Sequence, residues 1–189
     1  PLPSMPICFW NDPAGERLRE AYFSMYPGVW RHGDWIEITE RGTSIIYGRS
    51  DSTINRGGVR MGTSEIYRAV LALDEIVDAL VVDVPRAAAE NWMALFVVLR
   101  EGAQLDDDVR RAIARRIRED CSPRHVPDDV FAVAEVPRTL SGKLLEVPVK
   151  RILSGTPPER AASRDSLANP AALDWFVELA RERGARSPA

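Results

Sequence analysis

The chain has 189 residues with 45% hydrophobic and 28% charged side chains, a balance that is typical of a globular protein and excludes a disordered tail. Its formal net charge of −3 gives no Lys/Arg surplus for general nucleic-acid binding, and no apolar run approaches the roughly 20 residues of a membrane span. Cys8 and Cys121 have neither metal-binding nor disulfide spacing, so we expect a reducing, cytoplasmic compartment.

The first segment predicts one short helix. Asp12-Pro13 is typical of a helix start, the apolar residues from Leu18 to Met25 recur at helical spacing, and Pro27-Gly28 ends the helix. One helix leaves the surrounding aromatic side chains exposed, and the chain starts at Pro1 rather than Met. We therefore expect this segment to belong to a larger body that lies upstream.

The next segment predicts a β-hairpin and then a glycine-rich loop. β-Branched residues in 35–48 flank the turn Glu40-Arg41-Gly42. Between Gly48 and Gly62, glycines and polar residues dominate, as expected where a backbone turns sharply or approaches a ligand. A helix then starts near Thr63, and its apolar residues recur at helical spacing.

The rest of the compact region alternates strands and helices. Aliphatic runs predict strands at Ile76–Val84, Trp92–Leu99 and Val130–Val136. Apolar spacing predicts helices at Asp106–Asp120 and at about Leu145–Leu153. Together these elements predict an α+β fold with a three-stranded sheet plus a hairpin, flanked by helices.

The last part predicts a linker and a final helix. Residues 155–169 are rich in Pro, Ser and Arg, as linkers often are. Asn169-Pro170 predicts the cap of a helix on which Leu173 and Phe176 share a face.

The sequence shows no metal cluster, nucleophile–His pair or Walker-type phosphate loop, which leaves three glycine-bearing loops as candidates. These are residues 32–35, residues 48–60 and the Pro-Arg-Thr-Leu-Ser-Gly-Lys loop at 137–143. In this order they resemble the C-terminal core motifs of the adenylate-forming superfamily, which includes acyl-CoA synthetases, luciferase and peptide-synthetase adenylation domains. The resemblance runs from about Asp34 to Lys150 and implies the small mobile C-terminal domain of that fold.

Two flanking segments, the aromatic lead-in at 5–34 and the tail at 163–176, resemble one branch, the acetoacetyl-CoA synthetases. The resemblance implies that residues 1–47 end a large N-terminal domain. Residues 48–154 would then form the mobile domain with a hinge at its start, and 155–189 a linker and helical extension. Nothing in the loops identifies the acid, so an acetyl-, propionyl- or other short-chain acyl-CoA synthetase remains an alternative. A stand-alone partner or regulatory module is a second alternative.

The resemblance implies a reaction in two halves. A carboxylate attacks the α-phosphate of ATP to give an acyl-adenylate and diphosphate, and the CoA thiol then displaces AMP. ATP, CoA and a short-chain acid are the implied substrates, and Mg²⁺ accompanies ATP, held mainly by the large N-terminal domain. That adenylation domain is the implied partner, and without it the chain is expected to be inactive.

Lys143 is the predicted catalytic residue. Because the first half-reaction brings two anions together, its transition state gains from a fixed positive charge between carboxylate and phosphate. A compact ammonium can bridge oxygens of both groups, and Lys143 and Lys150 are the chain's two lysines. The resemblance also implies control by a lysine acetyltransferase and deacetylase that act on Lys143.

Three residues match superfamily positions that bind ATP or AMP. Asp34 matches a carboxylate that accepts hydrogen bonds from the ribose hydroxyls. Arg49 matches an arginine close to the nucleotide, and Arg60 matches one that faces phosphate oxygens, although a structural salt bridge is the alternative for Arg60.

Two further positions match moving parts of the superfamily. Asp51 matches the hinge, and Gly58 matches the loop that lies against the pantetheine chain of CoA. His125, Cys8 and Cys121 match no catalytic position and are expected to be structural.

Overall fold

The computed structural model describes residues 4–56, 58–86 and 89–186, so Pro1 and Gly57 lie outside the described residues. The chain divides into two compact units, Pro1–Asp34 and Trp35–Ala189. This division, after Asp34, lies 13 residues earlier in the chain than the predicted domain boundary after residue 47. In the described part, no helix is long and apolar enough to cross a membrane.

Helix α1, Glu16–Phe23, begins later than predicted. The start at Asp12-Pro13 is wrong, because Gly15, in a left-handed conformation with φ 66°, immediately precedes the helix. The Asp12 carboxylate still caps it, since it accepts hydrogen bonds from the backbone N–H groups of Leu18 (3.0 Å) and Arg17 (3.2 Å). The Leu18 N–H is the main cause that lowers the pKa of Asp12 below its ordinary value.

Aromatic rings of the first unit form a chain of edge-to-face contacts. The ring centroids are 5.9 Å apart for Phe9 and Tyr22, 5.5 Å for Tyr22 and Trp30, and 5.4 Å for Trp30 and His32. Trp10 is 94% exposed. The expected exposure of the aromatic residues therefore describes Trp10 and Tyr26 but not Phe9, Tyr22 and Trp30, which are half-buried.

Two small hairpins open the second unit. The predicted hairpin is confirmed as β1 (Asp34–Ile38) and β2 (Ser44–Arg49). A second hairpin, β3 (Ile54–Arg56) and β4 (Val59–Met61), was not predicted. Its antiparallel strands pair Arg56 with Val59, and Gly58, with φ 78°, lies in the turn that joins them.

The central sheet has the order β5-β6-β7, with β5 at Ile76–Arg86, β6 at Ala89–Leu99 and β7 at Asp129–Ala132. Strands β5 and β6 are antiparallel, and Leu80 pairs with Phe96. Strand β7 runs parallel to β6, and it ends earlier than the predicted Val136. The α+β prediction with a three-stranded sheet is confirmed.

Helices cover both faces of this sheet. Strand side chains alternate between two buried clusters, as the two-residue period of a strand requires. The helices are α2 Thr63–Val70, α3 Asp107–Asp120, α4 Glu146–Leu153, α5 Pro158–Ala161 and α6 Ala172–Arg186. Leu80 and Phe96 contribute to the cluster beneath α4 and α6, while Val81 and Leu95 contribute to the cluster beneath α2 and α3.

Residues 155–169 differ from the linker that their composition predicts. They contain α5 and a 3₁₀ turn at Arg164–Ser166. Ala161 and Leu167 are buried in the same cluster as α4 and α6. Isolated apolar residues in a polar segment give no periodic signal, and so this packing was invisible in the sequence.

Tyr67 links three elements of the second unit. Its hydroxyl on α2 donates to Glu146 Oε1 on α4 (2.6 Å) and accepts from the Val81 N–H on β5 (3.1 Å). Burial, and next the Glu146 charge, raise the pKa of Tyr67 well above its ordinary value.

Tyr67→Phe is expected to lower the free energy of unfolding by about 1–3 kcal/mol at neutral pH, because it leaves Glu146 and Val81 without a partner. Above pH ~10, Tyr67 ionises in the unfolded chain but not in the folded one, so the wild type loses up to about 1.4 kcal/mol of stability per pH unit through this group. The gap between wild type and variant should therefore narrow in urea unfolding between pH 7 and 11. A gap that stays constant over that range would contradict the linkage.

Candidate functional site

The predicted catalytic Lys143 closes a tight turn between β7 and α4. The Thr139 N–H donates to the Lys143 carbonyl (2.9 Å), and the Lys143 N–H donates to Thr139 Oγ1 (3.0 Å). Gly142 has φ 81° and donates its N–H to the Thr139 carbonyl (2.8 Å), which suits a residue without Cβ. The backbone of the Lys143 loop, residues 137–143, is therefore held by its own hydrogen bonds.

Arg138 anchors the Lys143 loop to the central sheet. Its Nη2 lies 2.8 and 2.7 Å from the two carboxylate oxygens of Asp78 on β5, and its Nε lies 3.2 Å from Oδ2. Its Nη1 donates to the Gly142 carbonyl (2.7 Å). Both side chains of the ion pair are half-buried, so solvent screens the pair less than it screens an exposed one.

The Lys143 side chain is exposed at the end of this anchored turn. Leu140, at the tip of the same loop, is 72% exposed. An ammonium buried inside its own domain would have contradicted the predicted role, because it could not reach a second domain. The geometry is compatible with that role, which stays a prediction.

Arg49 and Asp51 lie together at the end of β2. Arg49 Nε is 3.1 Å from Asp51 Oδ1, and its Nη2 is 3.2 Å from Oδ2. Thr53 Oγ1 donates to the Arg49 carbonyl (2.7 Å) and closes the turn. Because the ion pair is exposed to solvent, it contributes at most about 1 kcal/mol.

Asp34 lies at the start of β1 and is mostly shielded from solvent. Its Oδ2 is 2.6 Å from Nδ1 of His32, whose ring contacts Trp30 edge to face. The imidazole thus orients the carboxylate that the resemblance assigns to the ribose.

Gly58 and Arg60 lie on the second hairpin. Gly58 has φ 78°, and a Cβ added there would meet no non-neighbouring atom of the described chain within 4 Å. The Arg60 guanidinium lies 4.5 Å from the centroid of the Trp35 ring, which is the geometry of a cation–π contact. A second arginine, Arg56, fixes the hairpin by donating to the Val126 carbonyl (2.8 Å) and to the Asp128 carboxylate.

His125 is buried and joins the segment after α3 to α2. Its Nε2 is 3.2 Å from Glu65 Oε2 on α2, and its Nδ1 is 2.8 Å from Ser122 Oγ. The Cys121 thiol, after α3, contacts the Glu65 carbonyl at 3.7 Å, and burial is the main cause that raises its pKa. A raised pKa makes Cys121 less reactive, in keeping with the expected structural role.

Sequence reasoning missed two residues that contact the Lys143 loop. Asp78 is 60 positions away from Arg138, and Asn169 is 31 positions away from it. No motif signals either contact, because both depend on how the sheet and the C-terminal residues fold back.

A metal site is not built by this part of the protein. In residues 4–56, 58–86 and 89–186, no three His, Cys, Asp or Glu side chains converge in a way that could hold an ion.

Comparison with known proteins assigns the family. Residues 65–143 match the AMP-binding enzyme C-terminal domain. The chain is 46% identical to an acetoacetyl-coenzyme A synthetase of Rhizobium meliloti (strain 1021) over 183 residues, which are 94% of this chain and 27% of that protein. It is also similar to the acetoacetyl-CoA synthetase of Caenorhabditis elegans, at 41% identity over 94% of this chain and 25% of that protein.

A solved structure shows the same similarity to acetoacetyl-CoA synthetases. The acetoacetyl-CoA synthetase from Streptomyces lividans superposes with a TM-score of 0.88 at 53% identity, covering 97% of this chain and 27% of that one. Residues 65–143 thus belong to the AMP-binding enzyme C-terminal domain family. The whole chain spans about a quarter of the length of the relatives that it matches.

Proposed function

We propose that this adenylate-forming chain is the C-terminal part of an acid–CoA ligase that converts acetoacetate, ATP and CoA to acetoacetyl-CoA, AMP and diphosphate. The observation that carries the proposal is an exposed Lys143 on a loop whose backbone is fixed by hydrogen bonds. The similarity to acetoacetyl-CoA synthetases along nearly the whole chain supports the choice of acid.

Lys143 acts in the first half-reaction. A carboxylate oxygen of the acid attacks the α-phosphorus of ATP, the bond to diphosphate breaks, and negative charge gathers on the oxygens between the two reactants. The Lys143 ammonium neutralises that charge from the C-terminal side. A fixed backbone leaves the four-carbon stem as the flexible part that must be ordered in the transition state.

In the second half-reaction, the mobile domain takes a different orientation against the large N-terminal domain. Residues 48–154 turn at Asp51 against the large N-terminal adenylation domain, with residues 1–47 as the end of that domain and 155–189 as an extension. The second hairpin then approaches CoA, with Gly58 against the pantetheine chain and Arg60 facing phosphate oxygens. The CoA thiol attacks the acyl carbon, AMP leaves, and the thiol proton passes to solvent.

The remaining nucleotide contacts complete the proposal. Asp34 accepts hydrogen bonds from the ribose hydroxyls, and Arg49 lies close to the nucleotide once its pair with Asp51 opens. Mg²⁺ enters with ATP and is held mainly by the large domain, and the enzyme works in the cytoplasm. Acetylation of Lys143 by an acetyltransferase would remove its charge and switch off adenylation, and a deacetylase would restore it.

The experiment is a comparison of acids with the complete ligase that contains this chain. We expect kcat/KM for thioester formation to be higher with acetoacetate than with acetate or propionate. Faster turnover of acetate or propionate would overturn the choice of acid and favour another short-chain acyl-CoA synthetase. The absence of any upstream coding sequence for a glycine-rich phosphate loop would favour a stand-alone partner or regulatory module instead.

A further inference from the structure

Residues 166–169, which lie just before the last helix α6, are directly beside the Lys143 loop. The Leu140 N–H donates to the Ser166 carbonyl (3.0 Å), and the Ala168 N–H donates to the Arg138 carbonyl (2.9 Å). Between these two bonds, Thr139 and Leu167 form an antiparallel bridge. The segment thus adds a short strand to the outer side of the loop, although its composition resembles that of a linker.

Asn169 contacts the loop with its side chain. Its Oδ1 accepts from the Arg138 N–H (2.9 Å), and its Nδ2 donates to the Val136 carbonyl (3.0 Å) and to Glu135 Oε2 (2.6 Å). At the start of α6, it is the Asn169 backbone carbonyl that accepts a hydrogen bond, from the Ala172 N–H (3.0 Å). The helix-capping role predicted from the sequence therefore does not describe the side chain.

Arg138 is held from both ends by these contacts. Asn169 fixes its backbone N–H, while Asp78 fixes its guanidinium through a two-oxygen ion pair. The guanidinium in turn holds the Gly142 carbonyl, one residue before Lys143. Hydrogen bonds from the central sheet and from the C-terminal segment therefore converge on the backbone that carries Lys143.

We propose that Asn169 and Asp78 are positioning residues that hold the Lys143 loop in the arrangement required for adenylate formation. The proposal rests on the function proposed above, and it gives the C-terminal segment a part in the first half-reaction. A charge misplaced by about 1 Å can lower a rate about 100-fold, so a loop braced on two sides supplies a catalytic advantage. Neither residue needs to touch a substrate.

Point variants are the appropriate test. Removing all residues from 166 onward would delete Leu167, Leu173 and Phe176 from the main cluster and uncover Phe96, so it would strongly destabilise the domain. Asn169→Ala removes the three side-chain hydrogen bonds and leaves the backbone bond to Ala172. Asp78→Asn keeps the shape of the side chain while it removes the charge, and it serves as the milder second variant.

Two assays on the complete ligase separate the half-reactions. In both variants, we expect acetoacetate-dependent ATP–diphosphate exchange to fall about 10- to 100-fold. Thioester formation from synthetic acetoacetyl-adenylate and CoA should stay within about 2-fold, because Lys143 has no part in that step. Asp174→Asn is the matched control, since it weakens the exposed Arg164–Asp174 pair of the same C-terminal region without touching the loop.

A double variant decides whether the effect passes through Lys143. If Asn169 acts by placing the ammonium, Asn169→Ala should cause no further loss of exchange in a Lys143→Ala background. Additive losses, unchanged exchange in both single variants, or an equal fall of both half-reactions would each overturn the positioning role. A wild-type ligase without acetoacetate-dependent exchange would instead overturn the proposed function, so the two failures are distinguishable.

Discussion

Lys143→Ala in the complete ligase is expected to lower acid-dependent ATP–diphosphate exchange by about 100- to 1000-fold, the loss that follows removal of one preorganised group from a developing charge. Thioester formation from ready-made acyl-adenylate should be largely retained. The physical reason is that charge between carboxylate and phosphate exists in the first transition state and is absent from the second. The two rates are measured separately with labelled diphosphate and with synthetic adenylate.

The matched control is Lys150→Ala, at the other lysine of the chain, which lies in α4 outside the Lys143 loop. It should leave both half-reactions unchanged. Lys143→Arg keeps the positive charge but replaces a point charge with a planar fork, so it should restore only part of the exchange activity. Equal losses of the two half-reactions in Lys143→Ala would contradict the assignment.

Gly58→Ala is expected to have the opposite effect, with thioester formation falling about 10-fold or more and ATP–diphosphate exchange nearly unchanged. The position has φ 78°, where a Cβ strains the backbone by about 1–2 kcal/mol. The described chain leaves the space around Gly58 open, so an added methyl group meets whatever approaches from outside. We propose that this approaching group is the pantetheine chain of CoA.

Gly102→Ala distinguishes backbone strain from a lost ligand contact. Gly102 has nearly the same conformation, φ 83°, and an equally open surrounding, but it lies in the turn after β6. It should lower thermal stability as much as Gly58→Ala does while leaving both half-reactions intact. If Gly102→Ala slows thioester formation to the same degree, strain alone explains the result and the CoA assignment of Gly58 is wrong.

Much of the second unit could be predicted, because its elements are long and strongly patterned. The strands containing Val81 and Leu95 and the helix with Ile113 and Ile117 show clear periodicity, and all four side chains are buried. The second hairpin was missed because strands of three residues, such as Ile54–Arg56, are too short to show a period. The start of α1 was misplaced because the capping carboxylate of Asp12 acts from outside the first turn.

The sequence motif located the candidate site, but it did not identify the residues that hold the Lys143 loop in place. The Pro-Arg-Thr-Leu-Ser-Gly-Lys pattern located Lys143, and the structure shows a hydrogen-bonded turn there. Asp78 and Asn169 could not be found in the same way, since a contact across 60 or 31 residues leaves no local pattern. The roles of Lys143, Asp34, Arg49, Asp51, Gly58 and Arg60 all stay predictions.

The central sheet has one further consequence for the proposed rotation. Since each face is covered by helices of the same unit, α6 among them, the two buried clusters stay covered when residues 48–154 and the C-terminal extension change orientation together against a neighbour. The two orientations can then lie within a few kcal/mol of each other, a gap that the binding of one substrate or the departure of one product is able to reverse. Because the buried core is the same in both orientations, the bound substrates and products set the order of the two chemical steps.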